Sequence, residues 1–389
     1  MIEYSLISSN EELKNQCKDI ELHNKIAMDL EADSLHHFKE RVCLIQMASH
    51  KKNYLVDPLT ITDFSPLKPI CENPSITKVF HGADFDIRSL DRDFDIKIRN
   101  LFDTEIACRF LGIQKRSLAA LLKKHFNLNL DKRFQKTDWS LRPLSKQMIE
   151  YSINDVAYLI ELSEILKNKL VDIGRLSWAM EEFELQTKVR YDKHEDTPLF
   201  TKFKGAGKMS KENLAVLESL LQMRAKIAEE KNMPLFKIIS SESITTLTLR
   251  KPKNMNELKQ TNALSPKQIS MYGESCIKAV VRGIETKLSC KNGDTESKNN
   301  INDNTRLSSR KKMLEAQSLA QDKVNDLKSL RDSLSEKTGI ESGFLLSNAT
   351  IASVVLAKPL SEEEFLQING TRKWQVDLIG KDVIKILHC

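Results

Sequence analysis

Residues 26–33 read IAMDLEAD, an apolar run that takes on acidic residues towards its carboxyl end. The segment Lys25–Leu30 is predicted to be a buried β-strand, and Asp29 and Glu31 then project from one face of it. Two carboxylates this close repel each other unless a cation lies between them, so the pair is a candidate metal site. Taken alone, Asp-x-Glu is too common to decide, and an exposed acidic pair at the end of a strand is the simpler interpretation.

Three further short apolar runs have the length and the polar boundaries of strands. They are Arg41–Met47, Asn53–Val56 and Thr77–Phe80. From Asp84 onward, apolar residues recur at helical spacing up to about residue 185. Strands followed by helices around one sheet predict an α/β domain over residues 1–185.

Two other motifs add acidic groups to the first pair. Asp86, in HGADFDI (81–87), follows the Thr77–Phe80 strand in the opening turn of a predicted helix. Tyr151 and Asp155, in YSIND (151–155), are four residues apart, so a helix directs both side chains into the same space. For this pair in isolation, packing of the tyrosine and an ion pair of the aspartate are an equally good interpretation.

Neighbouring acidic residues have simpler interpretations. Asp84 is predicted to be the N-cap of the helix that carries Asp86. Asp103 and Thr104 are predicted to begin another helix, and Asp33 is predicted to be solvated surface. This leaves four carboxylates and one tyrosine as the candidate catalytic set: Asp29, Glu31, Asp86, Tyr151 and Asp155.

The rest of the chain divides at two polar segments. The helical spacing of apolar residues is lost over residues 186–208, which are predicted to be a linker. It is lost again over residues 287–312, which are predicted to be a flexible linker. Pairing Arg224 with Arg331 sets one register, without a gap, between the segments 209–286 and 313–389. We interpret them as two copies of a small helical domain, in which a Lys-Pro pair closes one helix; coincidence among helix-forming residues is the alternative. The register pairs Leu220 with Leu327, Ile244 with Ile351, Lys251 with Lys358, Pro252 with Pro359 and Gly273 with Gly380.

The order of these motifs resembles the DEDDy branch of the 3′-5′ exonucleases, and ribonuclease D in particular. The resemblance covers essentially the whole segment 1–185 and extends to ERVCLIQMA (40–48), YLVDP (54–58), LFDTEIACRFLG (101–112) and the segment 117–162. The helical copies resemble the paired HRDC domains of that family. The chain departs from the family in reading DLEAD where DTEF is common, and in carrying Glu341 in the second copy where the first has Pro234. The latter difference predicts different partners for the two copies.

The resemblance implies an RNase H-like exonuclease domain with a mixed sheet, followed by two small all-α HRDC-like domains. It implies two divalent cations, Mg²⁺ or Mn²⁺, with Asp29, Glu31 and Asp155 around one, Asp29 also reaching the second, and Asp86 acting there through water. Tyr151 would orient the attacking water, because a phenol with a pKa near 10 is a poor general base at neutral pH. Oxygen ligands of this kind suit these hard cations.

The function that follows is a metal-dependent 3′-5′ exoribonuclease. It would trim the 3′ ends of stable RNA precursors, especially tRNA, and release nucleoside 5′-monophosphates. A DNA-directed exonuclease of the same superfamily and an inactive nucleic-acid-binding scaffold are the alternatives. His81, Lys132 and Arg142 are candidate substrate contacts, although a satisfied buried histidine and a positioning role for the 132–142 segment are competing interpretations.

Composition limits the other possibilities. The formal net charge is +6 in a chain of 389 residues, of which 29% are charged, so a polyanionic partner is permitted. The seven cysteines are scattered without a C-x-x-C pair, so we expect reduced thiols and no zinc site. No run reaches the roughly 18 apolar residues of a membrane helix. A cytoplasmic protein without a membrane role is therefore expected.

Overall fold

The computed structural model describes residues 3–192, 197–286 and 303–388, apart from the side chains of Lys132 and of residues 303–319. The strands are β1 (Tyr4–Ile7), β2 (Lys25–Ala32), β3 (Val42–Ala48), β4 (Asn53–Val56), β5 (Thr77–Phe80) and β6 (Leu101–Asp103). Helices in the same part of the chain are α1 (Asn10–Ile20), α2 (Lys68–Cys71), α3 (Asp84–Phe94), α4 (Thr104–Phe110), α5 (Leu118–Phe126), α6 (Lys146–Ala157), α7 (Leu159–Asp172) and α8 (Leu176–Gln186).

The remaining α-helices form two consecutive groups of five. The first repeat comprises α9 (Lys211–Glu230), α10 (Leu235–Ile238), α11 (Ser241–Arg250), α12 (Met255–Gln260) and α13 (Pro266–Glu285). The second repeat comprises α14 (Asp303–Thr338), α15 (Ser342–Leu345), α16 (Asn348–Ala357), α17 (Glu362–Leu366) and α18 (Lys373–His388). Single 3₁₀ turns lie at Ser65–Leu67, Lys132–Lys136, Leu199–Lys202 and Ala206–Lys208.

The strands form one mixed sheet in the order β1-β4-β3-β2-β5-β6. β2 and β4 run antiparallel to β3, whereas β1–β4, β2–β5 and β5–β6 are parallel pairs. The α/β class and the four predicted strands are confirmed. β1 and β6 escaped prediction because they are only four and three residues long, too short to show a period.

The central strands are apolar because both faces of the sheet are covered. Every residue of β3 is buried, and α6 packs across β2, β3 and β4. On this face the core contains Leu44, Leu55, Trp139, Met148 and Ile153. Packing of α6 over β2 brings the helix that carries Asp155 against the strand that carries Asp29 and Glu31.

The two repeats keep the register of the sequence pairing in their helices. α10 and α15, and likewise α11 and α16, coincide at both ends under this register. Lys251 and Lys358 are the C-caps of α11 and α16, with φ of 50° and 47°, and each precedes a proline. A left-handed C-cap followed by proline ends a helix sharply, which confirms the predicted role of the Lys-Pro pair.

One boundary of the second repeat differs from expectation. α14 begins at Asp303, inside the segment 287–312 predicted to be a flexible linker. Residues 287–302 of that segment lie outside the described residues. The polar composition that suggested a linker is also that of a long helix with little buried surface, and composition alone does not separate the two.

Both repeats contact the α/β unit, through different residues. In the second repeat, Glu341 accepts two hydrogen bonds from Arg116, at 2.9 and 3.1 Å, and Trp374 donates its Nε1–H to Glu182 at 2.8 Å. In the first repeat, Asn232 accepts from the Phe38 N–H at 3.2 Å. Glu341, where the first repeat has Pro234, is thus part of an intramolecular contact. Among the helices described, none is long and apolar enough to cross a membrane.

Candidate active site

Three carboxylates converge where α6 crosses β2. Asp29, Glu31 and Asp155 each offer an oxygen, and these three atoms lie within 4.8 Å of one another. Asp86 lies in the first turn of α3, with 6% of its surface exposed. Charge repulsion links Glu31 to Asp29, Asp86 and Asp155, and links Asp29 to Asp86 and Asp155, so the four carboxylates form one group.

Local packing fixes the helix that carries Tyr151 and Asp155. The Ser145 side chain accepts a hydrogen bond from the Met148 N–H at 3.2 Å, so Ser145 is the N-cap of α6. The Tyr151 ring lies between aromatic neighbours, with ring centroids 5.7 Å from Phe134 and 6.0 Å from Trp139. Trp139 is buried and packs against the ring.

Burial raises the pKa of every acidic group here, and repulsion from neighbouring carboxylates adds to this at Glu31, Asp86 and Asp155. Burial raises the pKa of Asp29 to about 7. The pKa values of Glu31, Asp86 and Asp155 lie well above the ordinary range, first because of burial and then because of the neighbouring carboxylates. Burial and the adjacent carboxylates also raise the pKa of the Tyr151 phenol, which therefore stays protonated at neutral pH.

The donor set fits hard divalent cations. None of the interactions that shift the pKa values of these four carboxylates comes from a lysine or an arginine. A buried cluster of like charges without an internal counter-charge is costly unless a cation is bound. Oxygen ligands without histidine or cysteine favour Mg²⁺ or Mn²⁺ over zinc.

The helix that carries Asp86 is anchored by a residue on a neighbouring strand. Asp84 is not its N-cap: the cap position is Ala83, and Asp84 instead forms an ion pair with Arg88 at 2.9 Å. The buried Asp103 carboxylate accepts from the Gly82 N–H at 3.0 Å and the Ala83 N–H at 2.7 Å, and also caps α4 as predicted. Sequence inspection missed this contact because the strand and the helix start that it joins are distant in the chain.

Asp33 is the second acidic residue whose predicted environment was wrong. It is fully buried, not solvated. Its carboxylate accepts from the Arg41 N–H at 2.9 Å and from the Arg41 Nε–H at 3.2 Å. Asp33 therefore ties the end of β2 to the segment that begins β3, directly beside Glu31.

The three candidate substrate contacts have different surroundings. His81 is half-buried, and its Nδ1 lies 2.9 Å from the Thr104 hydroxyl, so this nitrogen has a partner inside the protein. The Lys132 side chain lies outside the described residues. Arg142 uses all five N–H donors internally, on the Asp57 carboxylate and on the carbonyls of Cys43, Trp139 and Leu141, at 2.6–2.9 Å. With all five donors used inside the protein, Arg142 has none free for phosphate in this structure, which favours a positioning role before α6 over a substrate contact.

Two features near the carboxylates carried no signal in the sequence interpretation. Gln46 lies opposite Asp29 in the β2–β3 ladder, on the same face, and neither polar atom of its fully buried amide has a described partner. Beside Tyr151, a cavity of about 280 Å³ is lined by the exposed Arg133 together with Glu150 and Asn154. Only the strand register and the helix packing reveal either feature.

Metal-free protein is expected to lose stability as the pH rises. The pKa of Asp29 is about 7 in the folded state against 3.8 for the free group, so the folded chain binds the extra proton. That stabilisation is complete below about pH 3.8 and is lost as the pH rises through about 7. Melting temperatures in EDTA from pH 5 to pH 8 would show the fall, and Mn²⁺ is expected to restore stability most strongly at pH 8.

The same titration with Asp29→Asn is the control, because it removes the group whose pKa gives the effect. The difference in melting temperature between wild type and variant should grow with pH in EDTA. A difference that stays constant from pH 5 to pH 8 would contradict the assignment of the shift to this site.

Comparison with family profiles identifies the parts of the chain separately. A profile described as a 3′-5′ exonuclease matches residues 4–171, and a profile described as the HRDC domain matches residues 213–280 and 321–387. The first match contains all five residues of the candidate set. The second coincides with the two helical repeats.

Individual relatives agree with this division. Ribonuclease D of Desulfotalea psychrophila is 29% identical over 290 residues, covering 74% of this chain and 77% of the relative. Ribonuclease D of Escherichia coli is 28% identical, covering 71% of this chain and 74% of the relative. The exosome complex exonuclease RRP6 of Saccharomyces cerevisiae is 35% identical over 194 residues, but this chain spans only 26% of its length.

Solved structures show that the likeness extends to the whole fold. The crystal structure of Escherichia coli RNase D, described as an exoribonuclease involved in structured RNA processing, superposes with a TM-score of 0.71. The match covers 99% of both chains at 24% identity. A protein from Bifidobacterium adolescentis matches with a TM-score of 0.75 at 20% identity, covering 99% of this chain and 97% of the other. The sheet and both helical repeats are thus shared.

Proposed function

The chain belongs to the ribonuclease D family, in which a 3′-5′ exonuclease domain precedes two HRDC domains, and we propose that it trims the 3′ ends of stable RNA precursors, especially those of tRNA. The observation that carries the proposal is the set of three carboxylate oxygens within 4.8 Å, with Asp86 and Tyr151 beside it. The family match supports the exonuclease activity, and the names of the full-length relatives support RNA as the substrate.

Each side chain of the site has a separate task in this proposal. Asp29, Glu31 and Asp155 would hold one divalent cation, Asp29 would also reach a second, and Asp86 would act there through water. When bound, such a pair of cations supplies an activated water and stabilises the departing 3′ oxygen. Tyr151 keeps its proton because its pKa is raised, so its hydroxyl can donate a hydrogen bond that orients the attacking water. The product is a nucleoside 5′-monophosphate.

A scaffold without activity is disfavoured by the site itself. Four carboxylates that repel each other, of which Asp86 and Asp155 are buried and the other two half-buried, destabilise the fold, and an RNA-binding scaffold gains nothing from them. A DNA substrate would be cleaved by the same carboxylates. A preference for RNA over DNA must therefore depend on contacts to the sugar, since only RNA offers a 2′-OH. We propose a cytoplasmic location for the protein, because that is where a tRNA precursor would be its substrate.

The test is a timed digestion of a tRNA that carries a 3′ trailer, with products resolved to single nucleotides. We expect stepwise shortening from the 3′ end, release of nucleoside 5′-monophosphates, and dependence on Mg²⁺ or Mn²⁺. The Asp155→Ala protein is the matched control and should release none. Faster digestion of a matched 3′ single-stranded DNA, or tight RNA binding without mononucleotide release, would overturn the proposal.

A further inference from the structure

A cavity of about 760 Å³ lies on the first repeat, and none of the five candidate catalytic residues lines it. Its walls come from the first repeat, from the segment Thr197–Lys204, and from Phe38 of the α/β unit. Aromatic and aliphatic side chains form most of its surface, and cationic and hydroxyl groups also line it. This volume and this mixture are typical of a cavity for a small ligand.

Arg224 is the buried cation of this cavity. Only 7% of the residue is exposed, and its Nη1–H donates to the Ile239 carbonyl at 3.1 Å. The Nε–H is buried without a partner, and no ion pair joins Arg224 to a carboxylate among the described residues. Burial alone lowers the pKa of the guanidinium, with no opposing effect from a nearby anion. A buried arginine this poorly matched is unusual, because buried charges are normally paired.

The second repeat shows what Arg224 lacks. Its counterpart Arg331 donates to the Leu346 carbonyl at 3.2 Å, as Arg224 does to Ile239, and also to the Asp332 carboxylate and the Asn348 amide oxygen, both at 3.0 Å. In the register that pairs the two arginines, Asp332 corresponds to Ala225 and Asn348 to Ser241. The first repeat therefore keeps the structural hydrogen bond of the arginine and has no internal anion for it.

Other donors surround the place that the anion would fill. Ser241 and Glu242 line the cavity from the first turn of α11, where backbone N–H groups have no intrahelical acceptor. Lys202 and Lys204 line it as well, although Lys202 also pairs with Asp192 at 3.4 Å. The Glu242 carboxylate is the one acidic group among the lining residues, so the cations are in excess.

We propose that this cavity binds a free mononucleotide, with the phosphate on Arg224 and the base against the apolar wall. A terminal phosphate monoester carries nearly two negative charges at neutral pH and enters end-on. A phosphodiester within a strand has chain on both sides, which a guanidinium only 7% exposed does not accommodate. Phe38 and Phe203 provide the rings against which a base would stack. The occupant would brace the α/β unit against the first repeat.

The inference is independent of the proposed nuclease function and is tested on the full chain in EDTA, where cation-dependent cleavage is suppressed. Calorimetric titration with adenosine 5′-monophosphate should show saturable binding to wild type, and adenosine alone should bind more weakly. The decisive variant is Ala225→Asp, which installs the carboxylate that the second repeat already has. It should weaken binding of the nucleotide about ten-fold or more, because the internal carboxylate takes the charge-assisted hydrogen bonds.

Gln260→Glu, an exposed position at the end of α12, adds the same charge to the same repeat and should leave the affinity unchanged. Neither variant should melt below wild type, and any change in Ala225→Asp should be a gain in stability because the new carboxylate pairs with Arg224. This separates loss of binding from loss of folding. Absence of nucleotide binding by wild type, or equal affinity for wild type and Ala225→Asp, would overturn the proposal. Binding of a short RNA oligonucleotide without binding of the mononucleotide would also overturn it, because the phosphate on Arg224 would then belong to an RNA strand.

Discussion

Replacing Asp29 with asparagine is expected to abolish nucleotide release while making the metal-free protein more stable. Asp29 is one of the three carboxylates whose oxygens lie within 4.8 Å of one another, so its removal takes away a ligand of the proposed cation site. We expect the rate of release to fall by about 10³-fold or more, the order reached when an electrostatic stabiliser leaves a preorganised site.

The rise in stability has the same physical origin. In the absence of a cation, folding brings the Asp29 charge into a buried cluster of like charges, and the asparagine has none. Melting temperatures in EDTA at pH 8 should therefore be higher for Asp29→Asn than for wild type. With Mn²⁺ present, the order should reverse, because only wild type gains the binding free energy of the cation.

Asp33→Asn is the matched control, since it makes the same chemical change four residues further along the chain. Asp33 is buried but has Arg41 as a partner, so this substitution should lower the melting temperature in EDTA. Equal stability changes for the two variants would mean that burial, and not mutual repulsion, determines the response. Full activity of Asp29→Asn would remove Asp29 from the catalytic set.

The environments of Asp33 and Asp29 also show the limits of a single sequence. Local patterns are sufficient for β2, for the face shared by Asp29 and Glu31, and for Ser145 as the cap of α6. These features depend on spacing within one element, where the geometry is nearly fixed. The order of the acidic motifs along the chain then identifies the candidate catalytic set. A family resemblance relates motifs on separate elements, which the spacing within one element cannot do.

Errors arise where the partner of a residue is distant in sequence. The sequence predicts Asp84 as the cap of α3, but no side chain caps this helix; Asp103 on β6 instead holds the backbone just before it, and Asp33 has its partner beyond a turn. In each case the residue type is right for several environments, and only the fold selects one. The lack of a carboxylate partner for Arg224 is likewise recognised only when the two repeats are compared.

Arg142→Ala is expected to lower the free energy of unfolding by about 3 kcal/mol or more, the order found when one partner of a buried ion pair is removed. The Asp57 side chain is only 9% exposed and accepts from Arg142 at 2.6 and 2.7 Å, so it would keep a buried charge without a partner. Chemical denaturation of the metal-free protein measures this change directly.

The same variant decides between the two interpretations of Arg142 that the sequence left open. If Arg142 positions the segment before α6, Arg142→Ala loses stability, and Asp57→Ala in the same background costs far less than it does alone, because the charge is already unpaired. Arg133→Ala is the control, since Arg133 lies in the same segment with 78% of its side chain exposed, and it should leave the free energy of unfolding within about 0.5 kcal/mol of wild type. If Arg142→Ala has unchanged stability and a raised KM for RNA, Arg142 is a substrate contact. Its donors would then bind phosphate and would not be needed by Asp57.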